Sequence, residues 1–179
     1  MTATITTPKL DLRDANGQRL TFRRPMLGMN AAKAVTGFNE DEVLSEISLG
    51  RIKWAFDLST QPFGMKKKKN SNTLYSSVRT FVVILTRSLV AYIDPALAQP
   101  ETVEDVANAV LPPSSIITGN LRGTELQFAF NVTSEHVLNL IRAGLIKESS
   151  KSNWHQGRGG SPTIVRASVV QFLKTRRLL

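Results

Sequence analysis

The chain has 179 residues, 41% of them apolar and 21% charged, enough for one medium domain or two small ones and unlike the composition of a disordered chain. No cysteine is present, which excludes disulfides, thiol catalysis and cysteine-based zinc sites, and the strongest apolar run, Phe81 to Leu85, is too short to span a bilayer. Twenty-three Lys and Arg outweigh 14 Asp and Glu for a net charge of +9, an excess suited to a polyanionic partner.

That charge is unevenly spread. Residues 1–30 carry +3 (five basic, two acidic) and residues 31–90 carry +4 (nine against five). Residues 91–120 carry −4 with no basic residue, and residues 121–179 carry +6 (nine against three). Two basic segments flank an acidic connector, as expected of two polyanion-binding surfaces joined by a piece that stays off the ligand. A soluble basic protein with scattered surface charge would show the same total. The Thr-rich start, Met1 to Pro8, lacks the basic-then-apolar layout of a secretory signal, so a cytoplasmic, nucleoid-associated location is expected.

In chain order, Leu10 to Arg13 and Gln18 to Arg23 alternate apolar and polar around Asn16-Gly17, predicting a β-hairpin that extends the sheet of the unit that follows. A helix is predicted over Asn30 to Val35. Gly37 then permits a tight turn, and Asn39 is a good N-cap ahead of Glu40, Asp41 and Glu42, whose charges suit a helix dipole. Val43, Leu44 and Ile47 fall on one face of that second helix, which Gly50 ends. A short apolar strand is predicted within Arg51 to Asp57, with Trp54 in the core. A polar loop runs through Gly64 and Lys66, Lys67, Lys68 and Lys69 to Asn72, followed by a return strand, Thr73 to Tyr75, and a closing helix, Ser77 to Leu89. Leu97 to Pro100 reads as a hinge or as a segment packed against the folded units on both sides of it. Val103 to Val110 is predicted as a short helix stopped by Pro112-Pro113.

The remainder repeats the first pattern. Val43, Leu44, Ile47, Gly50, Ile52 and Lys53 reappear 94 positions later as Val137, Leu138, Ile141, Gly144, Ile146 and Lys147, with Thr133 in the place of Asn39 and Asn131 in that of Gly37. At a shift of 91, Ser77, Val78 and Phe81 fall on Ser168, Val169 and Phe172. The second copy thus reads as a helix from Thr124 to Phe130, a turn, a helix from Thr133 to Arg142 and a strand from Leu145 to Glu148. It continues with a basic loop (Lys151, Trp154, His155, Gly157, Arg158), a return strand from Thr163 to Arg166 and a helix from Ala167 to Arg177. A helix-turn-helix followed by a two-stranded basic flap is a winged helix-turn-helix. The expected fold is therefore α+β and mainly helical: an N-terminal hairpin plus first module over residues 1–92, an acidic connector over 93–118, and a second module over 119–179.

The second module resembles the small winged helix-turn-helix domains of the excisionase and MerR-like group. The matching residues are Thr124, Glu125 and Leu126, then Asn131, Val132 and Thr133, then Val137, Leu140, Ile141, Arg142, Gly144 and Ile146, and finally Ile164, Val165, Arg166, Ser168, Val169, Phe172 and Leu173. The first module matches only through its similarity to the second, and departs from the group in its acidic second helix; both basic loops are longer than the group's usual wing.

The resemblance implies binding to double-stranded DNA, in a transcription regulator or an excisionase-like accessory factor of a mobile element, plasmid or phage. In the second module Thr133, Ser134, His136, Asn139 and Arg142 are the candidate reading surface, since Asn and Arg pair bidentately with adenine and guanine edges. Lys147, Lys151 and Arg158 are candidate phosphate or minor-groove contacts. Lys66, Lys67, Lys68 and Lys69 are those of the first module, whose acidic helix is poorly suited to a groove. Trp154 rests on a sugar or base, or packs under the flap. Catalysis is not expected: His136 and His155 are the only histidines, no HExxH or GxxxxGK[ST] pattern occurs, and neither cofactor nor small-molecule substrate is implied. A homodimer, or a recombinase or replication protein, is the expected protein partner. The competing expectation is a protein–protein adaptor docking through the acidic helix and Ile116-Ile117.

Overall fold

The computed structural model describes residues 23–60, 81–150 and 160–178, and the backbone of four short strand segments, 12–13, 19–20, 66–67 and 74–75. The fold is α+β and mainly helical, with small antiparallel sheets. Strands β1 (Leu12–Arg13) and β2 (Arg19–Leu20) form the predicted hairpin, but as a two-stranded ladder of their own and not as an extension of a neighbouring sheet. Strand β3 (Met26–Gly28) leads into α1 (Met29–Thr36), and α2 (Glu40–Ser48) follows. Strand β4 (Ala55–Asp57) precedes β5 (Lys66–Lys67) and β6 (Leu74–Tyr75), which pair with each other. Strand β7 (Val82–Leu85) and helix α3 (Thr86–Ile93) complete this half.

After α4 (Val103–Val110) and the short α5 (Ser114–Thr118) the order is repeated: β8 (Asn120–Arg122), α6 (Gly123–Phe130), α7 (Ser134–Arg142), β9 (Thr163–Val165) and α8 (Arg166–Arg176). The local causes repeat as well. Gly37 (φ 74°) and Asn131 (φ 54°) both adopt the left-handed conformation that turns the first helix into the second. Asn39 and Thr133 each accept a backbone N–H from the first turn of the next helix. In both halves a strand before the first helix pairs with the strand before the last: Leu27 opposite Ile84, and Leu121 opposite Ile164.

Two of these expectations are corrected, and one left open between two readings is decided. The segment predicted as a closing helix from Ser77 becomes strand β7, and the helix starts only at Thr86; residues 77–80 lie outside the described residues. The equivalent of Ser168 is therefore Ser88, 80 positions away and not 91. Ser88 Oγ accepts from the Lys53 N–H at 3.2 Å, and Ser168 Oγ from the Lys147 N–H at 2.8 Å, so each serine fastens its last helix to the same point of its own unit. Second, the strand predicted over Leu145 to Glu148 is reduced to one bridge, Glu148 opposite Ile164. Of the two readings of Leu97 to Pro100, packing holds, on the first unit. Arg87 donates to Ala98 O, Ser88 to Gln99 Oε1, and the Trp54 indole N–H to Pro100 O at 2.9 Å.

The two units share a core. In the sheet β3–β7–β4, Leu27, Ala55, Val82 and Ile84 face the first unit's own helices. Met26, Phe56, Val83 and Leu85 alternate with them and join Trp54, Leu58, Val106, Leu126, Phe130, Phe172 and Leu173 in a cluster that includes the second unit's interior. Strand β7 is thus buried on both faces, which is why Val82-Val83-Ile84-Leu85 is apolar without alternation. The C-terminal tail returns to the first unit: Arg177 bridges Phe56, Leu178 N donates to Ala55 O at 2.8 Å, and the Leu178 side chain enters the first unit's core. Among the described residues no helix is long and apolar enough to cross a membrane.

Candidate nucleic-acid interface

Helix α7 owes its position to its two ends. Asn131 turns the chain, Thr133 caps the first turn by accepting the His136 N–H at 3.2 Å, and Gly144 (φ 69°) stops the helix. Val137 and Leu140 are buried below, while Thr133, Ser134 and Arg142 are exposed and Asn139 is half-buried. Of these four, all expected on the reading surface, Ser134, Asn139 and Arg142 form an outward strip opposite Val137 and Leu140, and Thr133 stands at its head as the N-cap. Its chemistry is already engaged: Arg142 Nη1 donates to Glu135 Oε1 at 2.9 Å and to Asn139 Oδ1 at 3.0 Å. The hold of Glu135 on Arg142 has no signal in the sequence beyond a seven-residue spacing. Lys147 is exposed just past the C-terminal end of α7.

His136 is corrected. It is only 6% exposed and does not belong to the outward strip. Its Nε2 lies 2.6 Å from Leu58 O, and its ring stacks on Phe81 with centroids 4.2 Å apart and planes 17° from parallel. A carbonyl oxygen only accepts, so Nε2 carries the proton and donates. The side chain thereby ties α7 to the first unit, through partners 78 and 55 residues away in sequence.

Helix α2 presents a different face. Asn39 and Glu42 close a reciprocal capping box, and Asp41 and Glu42 are exposed. Glu46 accepts two bonds from the Arg51 guanidinium, at 2.6 Å each, and these hold its carboxyl below the usual carboxylate range; its Tyr92 neighbour, half-buried, is raised by burial and by that same carboxylate. Lys66 and Lys67 fall in β5, paired with Tyr75 and Leu74. Lys68, Lys69, Lys151, Trp154, His155, Gly157 and Arg158 lie outside the described residues.

Several cations of the basic C-terminal segment are structural. Arg166 is 9% exposed and donates to Glu104 at 2.8 Å and to Asn108 at 2.6 Å, fixing α8 on α4. Arg176 is buried over the Phe172 ring, and Arg177 lies 3.8 Å from the Trp54 ring centroid. Arg122 and Lys174 are exposed cations that sequence reasoning did not single out. Elsewhere, Val110, Leu111, Pro112, Thr124, Glu125 and Phe128 line an open, mainly apolar groove of ≈ 360 Å³. Among the described residues no group of three or more His, Asp or Glu comes together to hold a metal ion. Comparison with protein-family models, with curated proteins and with solved structures found no match to this chain.

Proposed function

We propose that the chain binds double-stranded DNA through tandem winged helix-turn-helix units, as a transcription regulator or an excisionase-like accessory factor of a mobile element, plasmid or phage. The second unit reads bases with α7, and the first contributes mainly phosphate contacts. The observation that carries this reading is the outward strip of α7. A short helix set by a left-handed turn exposes Thr133, Ser134 and Arg142 with Asn139 beside them, and the root of a basic flap adjoins its far end. The repeated element order, with the same capping and turn geometry 94 residues upstream, supports a duplicated unit.

A gel-shift titration with random and genomic duplexes at increasing salt tests it. If the flaps neutralise phosphates, log K falls with log salt by about 0.9 for each phosphate engaged. Absence of binding below about 10 μM at low salt removes the reading. A second reading, protein docking, is favoured by one specific observation: Ile117 is 89% exposed and Phe128, beside the apolar groove, 52%. Replacing Arg142 and Lys147 with Ala separates the two, because only DNA binding requires those cations.

A further inference from the structure

The groove between α4 and α6 is apolar except at one point. The end of α4 supplies Val110, Leu111 and Pro112, and the outer side of α6 supplies Thr124, Glu125 and Phe128. Phe128 is 52% exposed, and α5, which begins two residues after Pro112, exposes Ile116 and Ile117. Large apolar side chains left in water beside a groove mark a surface that another molecule covers.

The polar point is Glu125. Its Oε2 accepts the Arg122 N–H at 2.6 Å, and among the described residues no donor reaches Oε1. Arg24, the cation nearest Phe128, is already committed: its guanidinium lies 5.6 Å from that ring's centroid and donates to Gln127 O at 3.5 Å. Residues 91–120, which contribute the other half of the lining, contain no basic residue. Their four carboxylates, Asp94, Glu101, Glu104 and Asp105, are all on exposed residues, and of these Glu104 is matched by Arg166.

These charges select the occupant. A purely apolar segment laid on the groove takes water from the Glu125 carboxylate and returns nothing, and an acidic segment adds a like charge. A segment with Lys or Arg among its apolar residues supplies the missing donor and is attracted by the acidic connector as it approaches. A second copy of this chain fits poorly. A two-fold contact sets Glu125 and the acidic segment against their own copies, and the short lining falls well below the roughly 20–30 residues a side of a standard interface. A small ligand fits poorly too, because the groove is open and lacks convergent polar groups.

We infer that the α4–α6 groove is a docking site for a basic amphipathic helix of a partner protein, whose apolar side chains pack on Phe128 and Pro112 and whose cation pairs with Glu125. The inference rests on the protein-docking reading above and is independent of DNA binding at α7, which uses other residues.

The test selects displayed random peptides of about 16 residues, four turns of helix, on the full-length chain, and repeats the selection on Phe128→Ala. Peptides retained by the parent and lost on the variant are expected to carry large apolar residues three or four apart, with Lys or Arg beside them. A synthetic peptide of that consensus is then titrated by fluorescence anisotropy. Phe128→Ala is expected to weaken its binding by at least about fivefold. Glu125→Gln, which retains an acceptor for the Arg122 N–H, is expected to weaken it about two- to fivefold, and added salt should affect the parent more than this variant.

Retained peptides that lack a cation, or equal affinity for Glu125→Gln and the parent, overturn the basic partner and leave the docking surface standing. A selection in which Phe128→Ala retains the same peptides as the parent overturns the docking reading itself. A parent dimer in sedimentation that Phe128→Ala converts to monomer assigns the groove to a second copy and overturns the inference.

Discussion

The Arg142 guanidinium donates to Glu135 and Asn139, so on the proposed DNA-binding reading a duplex at α7 would compete with a carboxylate for it. Both members of the ion pair are more than half exposed, where such pairs are worth about 0–1 kcal/mol. A bidentate contact to guanine contributes about 1–3 kcal/mol, so the exchange favours DNA. Glu135→Ala is therefore expected to strengthen binding by up to about fivefold. Arg142→Ala should weaken specific binding by roughly 5- to 150-fold with little change in melting temperature. Competition gel shifts against random duplex check both, and equal affinity for Arg142→Ala and the parent chain would place the reading surface elsewhere. Glu46 gives a second handle, through stability. The Arg51 bonds hold its folded-state pKa below its ordinary value of 4.5. The resulting stabilisation is complete above that value and is lost as pH falls through the depressed folded pKa. Arg51→Ala should thus melt below the parent at pH 6, and the gap should close progressively under pH 4.5. A gap that widens on acidification would reverse the assignment.

The start of α6 is a steric test of how a flap root meets a helix. Gly123 donates its N–H to Pro162 O at 2.7 Å, and a Cβ there would lie 2.7 Å from Ser161 Oγ and 2.9 Å from the Pro162 ring. A proline ring does not swing aside as a long side chain would, so Gly123→Ala must push the root of the second flap away from the helix. Overpacking of this kind costs about 1–3 kcal/mol, and for a chain of this size a drop in melting temperature of roughly 2–12 °C follows. An unchanged melting curve would show that the root yields freely. The sequence contains no sign of this contact, yet it announced the helices themselves. Caps, left-handed turns and the spacing of Val43, Leu44 and Ile47 are all local, and local causes leave local patterns. Strand β7 was read as helix for the opposite reason. Both its faces are covered, one by the first unit's helices and the other by the second unit, so the period-two alternation of a half-buried strand never appears. The 14 additional residues before it, the difference between shifts of 94 and 80, also concealed its equivalence to β9. His136 was misplaced because Leu58 and Phe81, which bury it, belong to the other repeat.

Across the whole molecule, the excess of charge overstates the surface available to a polyanion, since Arg166 and Arg176 are buried and Arg177 covers Trp54. Arg177, with Phe172, Leu173 and Leu178, holds the C-terminal helix and tail against the first unit, while Arg166 fixes that helix on α4. The consequence is thermodynamic. With Met26, Phe56, Val83 and Leu85 in one cluster with Leu126, Phe130 and Phe172, unfolding either unit exposes the apolar face of the other. Two similar units joined only by a connector would melt independently, whereas units sharing a core should melt together. Calorimetry of the full chain is expected to show one transition, with calorimetric and van't Hoff enthalpies in agreement. Leu178 makes the test sharper, because it follows the second unit's last helix yet fills the first unit's core at 8% exposure. Truncating a buried leucine costs about 2–5 kcal/mol, so Leu178→Ala should lower the single melting temperature by roughly 4–20 °C. Trp54 fluorescence in a Trp154→Phe background, reporting the first unit, and far-UV circular dichroism, reporting all helices, should move together. Two resolved transitions, only one of them shifted by Leu178→Ala, would show that the shared cluster does not couple the units.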